Sequence, residues 1–183
     1  MTIMTLTQLK QSKVRPPFHF FWTTASPFSQ FYRSTFEVDG VQFTCAEQFM
    51  MYSKAIHFKD LQAAHDIMQI PYPQGTERET PKQYKAIGRK VKNFNPYEWE
   101  RVSTNYVYKG NQAKFTQNPD LKTYLLQFAD DCVFVEASPY DTIWGIGLKE
   151  SDPRAKDPNK WCGQNKLGFV LTTLRNDILK GVS

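Results

Sequence analysis

A chain of 183 residues, 40% hydrophobic and 15% aromatic, can bury a core of its own, which excludes a disordered tail. No apolar run approaches the ~20 residues of a membrane-spanning helix, and Cys45, Cys132 and Cys162 show none of the short paired spacings of a zinc site. A formal charge of +5 and a pI near 9.0 direct attention to anionic partners, either phosphate-bearing small molecules or nucleic acid.

Residues 1–17 are polar, end in "RPP" and lack the apolar centre of a secretion signal, so they are expected to be a flexible N-terminal arm of a cytoplasmic protein. One domain is then expected over residues 18–183. "FHFFW" reads as a strand, and "STFEVDGVQFT" as a hairpin turning at Asp39-Gly40. From Thr44 the period changes, with Cys45, Phe49, Tyr52 and Ile56 recurring at helical spacing. Similar patterns follow in "DLQAAHDIMQ", "PKQYKAIGRKV", "PYEWERVSTNYVYKGNQAKF" and "PDLKTYLLQFA", interrupted by the loop "IPYPQGTERET". "CVFVEA" returns to strand character, "KESDPRAKDPNKW" is a charged loop, and "NKLGFVLTTLRNDILK" predicts a final amphipathic helix. The expected class is α+β, mostly α-helical with a small sheet and a hairpin.

Several carboxylates stand out, each with an ordinary explanation beside it. Glu47 lies three residues after Thr44 at the start of a helical run, the spacing of a capping box. It also shares a helix stripe with Lys54, ~10 Å further along the axis, so the pair could bracket a ligand or form a solvated face. Strand alternation puts Glu136 on one face with Phe134, consistent with an edge-strand ion pair or with a ligand contact. Asp141 follows Pro139 and Tyr140 in a turn, where Asp commonly bonds its own backbone, yet loops at strand ends also collect sites. Trp144, next to Gly145 and Gly147, offers either a core side chain or a flat face for a base, with glycines leaving room for close approach. Trp99 and Trp161 raise the same choice, and Arg89 after Gly88 is a candidate for phosphate. The histidines sit in no triad motif, and no phosphate-cradling glycine fingerprint is present.

Six pieces in order, "SPFSQFY", "VQFTCAEQFMMYSKA", "AIGRKV" with the later "WER", "KFTQNPDLKTYLL", "VEASPYDTIWGIGL" and "GQNKLGFVLTTLR", together resemble the NADAR or YbiA-like superfamily. The resemblance implies a compact α+β domain that hydrolyses the N-glycosidic bond between a phosphorylated ribose and a base-like amine. Substrate types in that superfamily include ADP-ribose on guanine and the ribosylaminopyrimidine intermediates of riboflavin synthesis. It further implies that Glu47 and Asp141 are catalytic and that Trp144 belongs to the pocket. Lys54, Arg89, Trp99, Glu136 and Asn165 match recurrent positions expected to contact substrate. No cofactor, metal, membrane or obligate protein partner is expected; guanine in nucleic acid could carry the ribosyl substrate.

Gln30 and Gln48 depart from the Asn and His that many or some relatives have there, which bears on substrate choice. In the expected mechanism one carboxylate stabilises the positive charge developing on ribose and orients water, while the other protonates the departing base. The alternative function is a non-catalytic module that binds ADP-ribose or NAD derivatives. General nucleic-acid binding by the basic surface ranks third.

Overall fold

In chain order the elements are α1 (Leu6–Gln11), β1 (Phe18–Phe21), β2 (Phe36–Val38), β3 (Val41–Phe43), α2 (Ala46–His57), α3 (Leu61–Gln69), α4 (Glu79–Gly88), α5 (Pro96–Gln117), α6 (Pro119–Leu126), β4 (Val133–Glu136) and α7 (Lys166–Leu179). Two 3-10 turns, Pro153–Lys156 and Pro158–Lys160, lie between β4 and α7. The structure is a computed structural model that describes residues 3–12 and 15–182. Its class is the expected one, α+β with helix predominating. No helix among the described residues is long and apolar enough to cross a membrane.

The chain divides into two compact units, one built from Met1–Phe28 with Thr123–Ser183, the other from Ser29–Lys122. In the first, β1 and β4 pair in parallel, from Phe18 opposite Val133 to Phe21 opposite Glu136. The strand period sends Val133 and Val135 into a core with Leu9, Ile146, Leu148, Trp161 and Phe169. Phe134 points the other way, onto Phe28 with ring centroids 4.5 Å apart. Part of the expected arm is helical: Thr5 and Gln8 close a capping box on α1, and Leu9 is buried in that core. Met1, Thr2, Lys13 and Val14 of the arm lie outside the described residues.

The final helix departs from the amphipathic expectation, since every residue from Leu167 to Arg175 is buried. Its buried polar side chains find partners inside the unit, Arg175 Nη1 excepted. Thr172 accepts from the Phe134 N–H and donates to the Gly168 carbonyl, and Arg175 donates to the Asp130 carbonyl at 2.7 Å.

In the second unit the hairpin turns as expected. Asp39 and Gly40 both adopt left-handed φ angles, 52° and 78°, the pair a tight two-residue turn requires. Phe36, Val38 and Phe43 pack with Ala46 and Phe49 of α2. Two glycines let helices close on α2: a side chain at Gly110 would collide with the Phe49 ring, and one at Gly88 with the Met51 side chain.

Candidate functional site

Glu47 occupies the first turn of α2, and the structure corrects how that turn is capped. The helix begins after Cys45, whose side chain makes no capping bond. Instead Gln48 turns back, accepting from the Thr44 N–H at 2.8 Å and the Thr44 hydroxyl at 2.9 Å. Gln48 therefore performs the reciprocal capping that the spacing had offered to Glu47. Glu47 is only 5% exposed, so the solvated-face alternative also falls.

The N–H of Glu47 donates to the Gln30 carbonyl at 2.9 Å. The turn carrying Gln30 is fixed from beneath by α5. The Gln30 and Asn111 amides exchange hydrogen bonds at 3.1 and 3.4 Å, and the Lys114 amine donates to the Ser29 carbonyl at 2.9 Å. Lys114 is fully buried, and burial pulls its pKa down to about 7. Burial acts oppositely on the neighbouring Cys45 thiol, pushing it up to about 12 and making it inert. The sequence reading missed Asn111 and Lys114. The available signal was their spacing from Val107, which sets two polar residues on an apolar helix stripe.

Lys54 lies on the same helix, 8% exposed. Its amine donates to the Gly88 carbonyl at 2.8 Å and sits 3.8 Å from the Phe94 ring centroid and 6.0 Å from that of Trp99. Among the described residues it forms no ion pair, and burial lowers its pKa. Trp99 is half-buried and stacks on Tyr106 at 5.7 Å and 21°. Arg89, the residue after Gly88, is exposed at the C-terminus of α4. Lys54, Trp99 and the Gly88–Arg89 corner thus come together around one desolvated amine.

In the other unit Asp141 makes the turn that its type suggested. Oδ1 accepts the N–H groups of Ile143 at 2.9 Å and Trp144 at 2.7 Å, while Oδ2 has no partner among the described residues. The loop is held throughout by backbone bonds. Ala137 donates to the Phe21 carbonyl, Ile146 to that of Glu136, Gln164 to that of Thr142, and Leu167 to that of Trp144. Trp144 is half-buried in this frame.

Here the glycines serve packing, contrary to the room for a ligand expected of them. A side chain at Gly145 would lie 2.8 Å from the Glu136 carbonyl oxygen and 3.0 Å from that of Asp141, so backbone fills its place. Trp161 proves to be a core residue, its indole donating to the Ala155 carbonyl at 2.7 Å.

Asn165 is fully buried in a left-handed conformation with φ 54°. Its amide accepts from the Glu136 N–H at 2.9 Å and donates to the Phe134 carbonyl at 3.0 Å. Both ends are spent on β4, so the residue positions Glu136, which is half-buried at the end of that strand. No cluster of three His, Cys, Asp or Glu suited to a metal ion occurs among the described residues, and all three cysteines are free.

Residues 20–179 match the NADAR domain family. The chain is 40% identical over 157 residues to N-glycosidase R617 of Acanthamoeba polyphaga mimivirus, covering 82% of this chain and 86% of that one. It is 32% identical over 127 residues to the chloroplastic riboflavin biosynthesis protein PYRR of Zea mays, covering 63% of this chain and 18% of the plant protein. The NMR structure of the E. coli protein YbiA matches with a TM-score of 0.67 over 95% of this chain and 93% of that one, at 23% identity, which is a likeness of fold.

Proposed function

We propose that this chain, which belongs to the NADAR domain family, hydrolyses the N-glycosidic bond between a phosphorylated ribose and a base-like amine. Relatives support the reaction class by their names, an N-glycosidase and a riboflavin biosynthesis protein. The substrates this admits are ADP-ribose on guanine and a ribosylaminopyrimidine phosphate.

The observation that carries the reading is the Asp141 carboxylate. One oxygen is locked by two backbone donors and the other keeps an open acceptor position, on a loop that is itself bonded at every turn. Cleavage of a ribosyl C–N bond develops positive charge on the anomeric carbon and ring oxygen, so a pre-oriented carboxylate stabilises the transition state more than the ground state. We assign Asp141 to that charge and to the attacking water. Glu47, the more buried of the two carboxylates, is assigned to the departing base. Arg89 supplies a planar cation for phosphate, and Trp99 and Trp144 supply aromatic surface for the base.

The amine of Lys54, desolvated and without an ion-pair partner among the described residues, favours a second route. Desolvation increases its neutral, nucleophilic fraction. Attack of Lys54 on C1 of the ring-opened N-glycoside would expel the base as a free amine and leave a lysine imine; water would then release the sugar aldehyde and regenerate Lys54. Borohydride added during turnover would leave the sugar attached at Lys54 if this route operates, and Lys54 would stay unmodified under the direct hydrolytic route.

The primary test is base release from both substrate types by the wild type, Glu47→Gln and Asp141→Asn, after folding has been verified. Loss of release in both variants is expected. Wild-type rates in both would overturn the assignment, and tight ADP-ribose binding with no base released by the wild type would favour the binding module.

A further inference from the structure

The loops that follow the two paired strands each expose one large aromatic residue. Trp22 stands directly after β1, 43% exposed, and Tyr140 follows β4, 85% exposed. Their ring centroids are 6.2 Å apart at 53°, a tilted pair with both rings reaching solvent. Tyr140 is the residue before Asp141, and its N–H is held by the Ser138 hydroxyl at 3.3 Å. After Trp22 the chain turns through Thr23, a β-branched residue with φ 83°. That conformation is strained for a β-branched residue and persists only where surrounding structure imposes it.

Trp22 and Thr23 line a groove of about 1210 Å³, ample for a nucleotide. The same groove is lined by Lys149, Glu150, Asp152 and Lys156. Asp152 is already neutralised by a bidentate contact with Arg154, leaving two lysines against the single carboxylate of Glu150. An aromatic face and two ammonium groups lining one groove match the two ends of a nucleotide, a flat ring and a phosphate.

We infer that Trp22 and Tyr140, with Lys149 and Lys156, form a subsite for a second nucleobase of the substrate, the one that stays joined to the ribose through phosphate when the scissile base departs. This rests on the proposed reaction at Asp141 and deepens it. It selects a dinucleotide-like, ADP-ribosyl substrate over a simple ribose phosphate. A departing base alone would need no second stacking surface beside Tyr140.

The test separates binding from turnover. AMP, ADP-ribose and ribose 5-phosphate are titrated into the wild type, Trp22→Ala, Trp22→Phe and Tyr140→Ala, followed by tryptophan fluorescence and calorimetry. AMP and ADP-ribose are expected to quench wild-type fluorescence. Trp22→Ala should weaken both by about tenfold, the loss of one stacked ring, with partial recovery in Trp22→Phe. Ribose 5-phosphate, which has no ring, should bind wild type and Trp22→Ala alike. Equal AMP affinity in wild type and Trp22→Ala overturns the subsite, and so does tighter binding of a short single-stranded oligonucleotide than of AMP.

Base release read in parallel keeps the two ideas apart. Ring-dependent AMP binding without any release would leave the subsite standing and sink the reaction. Release from an ADP-ribosyl substrate with an unaltered KM in both alanine variants would do the reverse.

Discussion

Gly88 serves Lys54 twice: its carbonyl accepts the buried amine at 2.8 Å, and its lack of a side chain lets α4 close onto Met51, within a turn of that lysine. Gly88→Ala would drive a methyl group into Met51 and push the carbonyl away. We expect a loss of about 1–3 kcal/mol in urea denaturation, with a larger fall in base release than Met51→Leu produces. Unchanged stability and activity would show that the close approach of α4 is not needed.

Lys114 makes stability depend on alkaline pH. Its ordinary value of 10.5 is lowered to about 7 by burial, so between those values the unfolded chain binds a proton that the folded chain does not. Stability should therefore rise as pH increases from about 7 to 10.5, and the full cost of burying the ammonium applies below that window. The predicted span is on the order of 5 kcal/mol. Lys114→Met should flatten that part of the profile, measured by denaturation at several pH values; a slope identical to wild type would refute the prediction.

Asn165 should be replaceable by no other side chain without loss. Asn165→Ala deprives the Glu136 N–H and the Phe134 carbonyl of their partners and places Ala at φ 54°. A cost of about 3 kcal/mol or more is expected from calorimetric melting. Asn165→Gly removes the backbone penalty but neither lost bond, so it should recover only about 1 kcal/mol.

Two substitutions at Asp141 separate its turn from its charge. Asparagine retains an oxygen that can accept from Ile143 and Trp144, whereas alanine does not. Asp141→Asn should melt near the wild type and lose base release, while Asp141→Ala should also lose about 1 kcal/mol of stability. Equal stability of the two variants would mean that the turn is held without this side chain.

The sequence showed most elements where periodicity was strong. The Asp39-Gly40 hairpin, the helical middle and the strand "CVFVEA" all lie where pattern placed them. It was less informative where polar residues turn inward. Thr172 and Arg175 gave α7 an amphipathic look although both are buried and bonded, and nothing in the helical run of α5 beyond its spacing from Val107 marks Lys114 as buried. The capping of α2 was misassigned by one residue because Glu and Gln are both competent partners and stand side by side. Tertiary contacts decided between them. Gly145 and Asn165 illustrate a related limit, since both meet backbone of β4 and its following loop, a role their motifs do not reveal.

The parallel pairing of β1 with β4 has a consequence for how the chain is made. These strands lie on either side of the segment Ser29–Lys122, which is complete before β4 leaves the ribosome. β1 must therefore wait unpaired during synthesis while the intervening unit folds around its own core of Phe36, Phe43 and Phe49. Closing so long a loop for one parallel strand pair is a slow kind of contact to form. The loop bearing Asp141 is anchored by that pairing, through Ala137 on the Phe21 carbonyl, so its geometry is among the last to be set as a nascent chain matures.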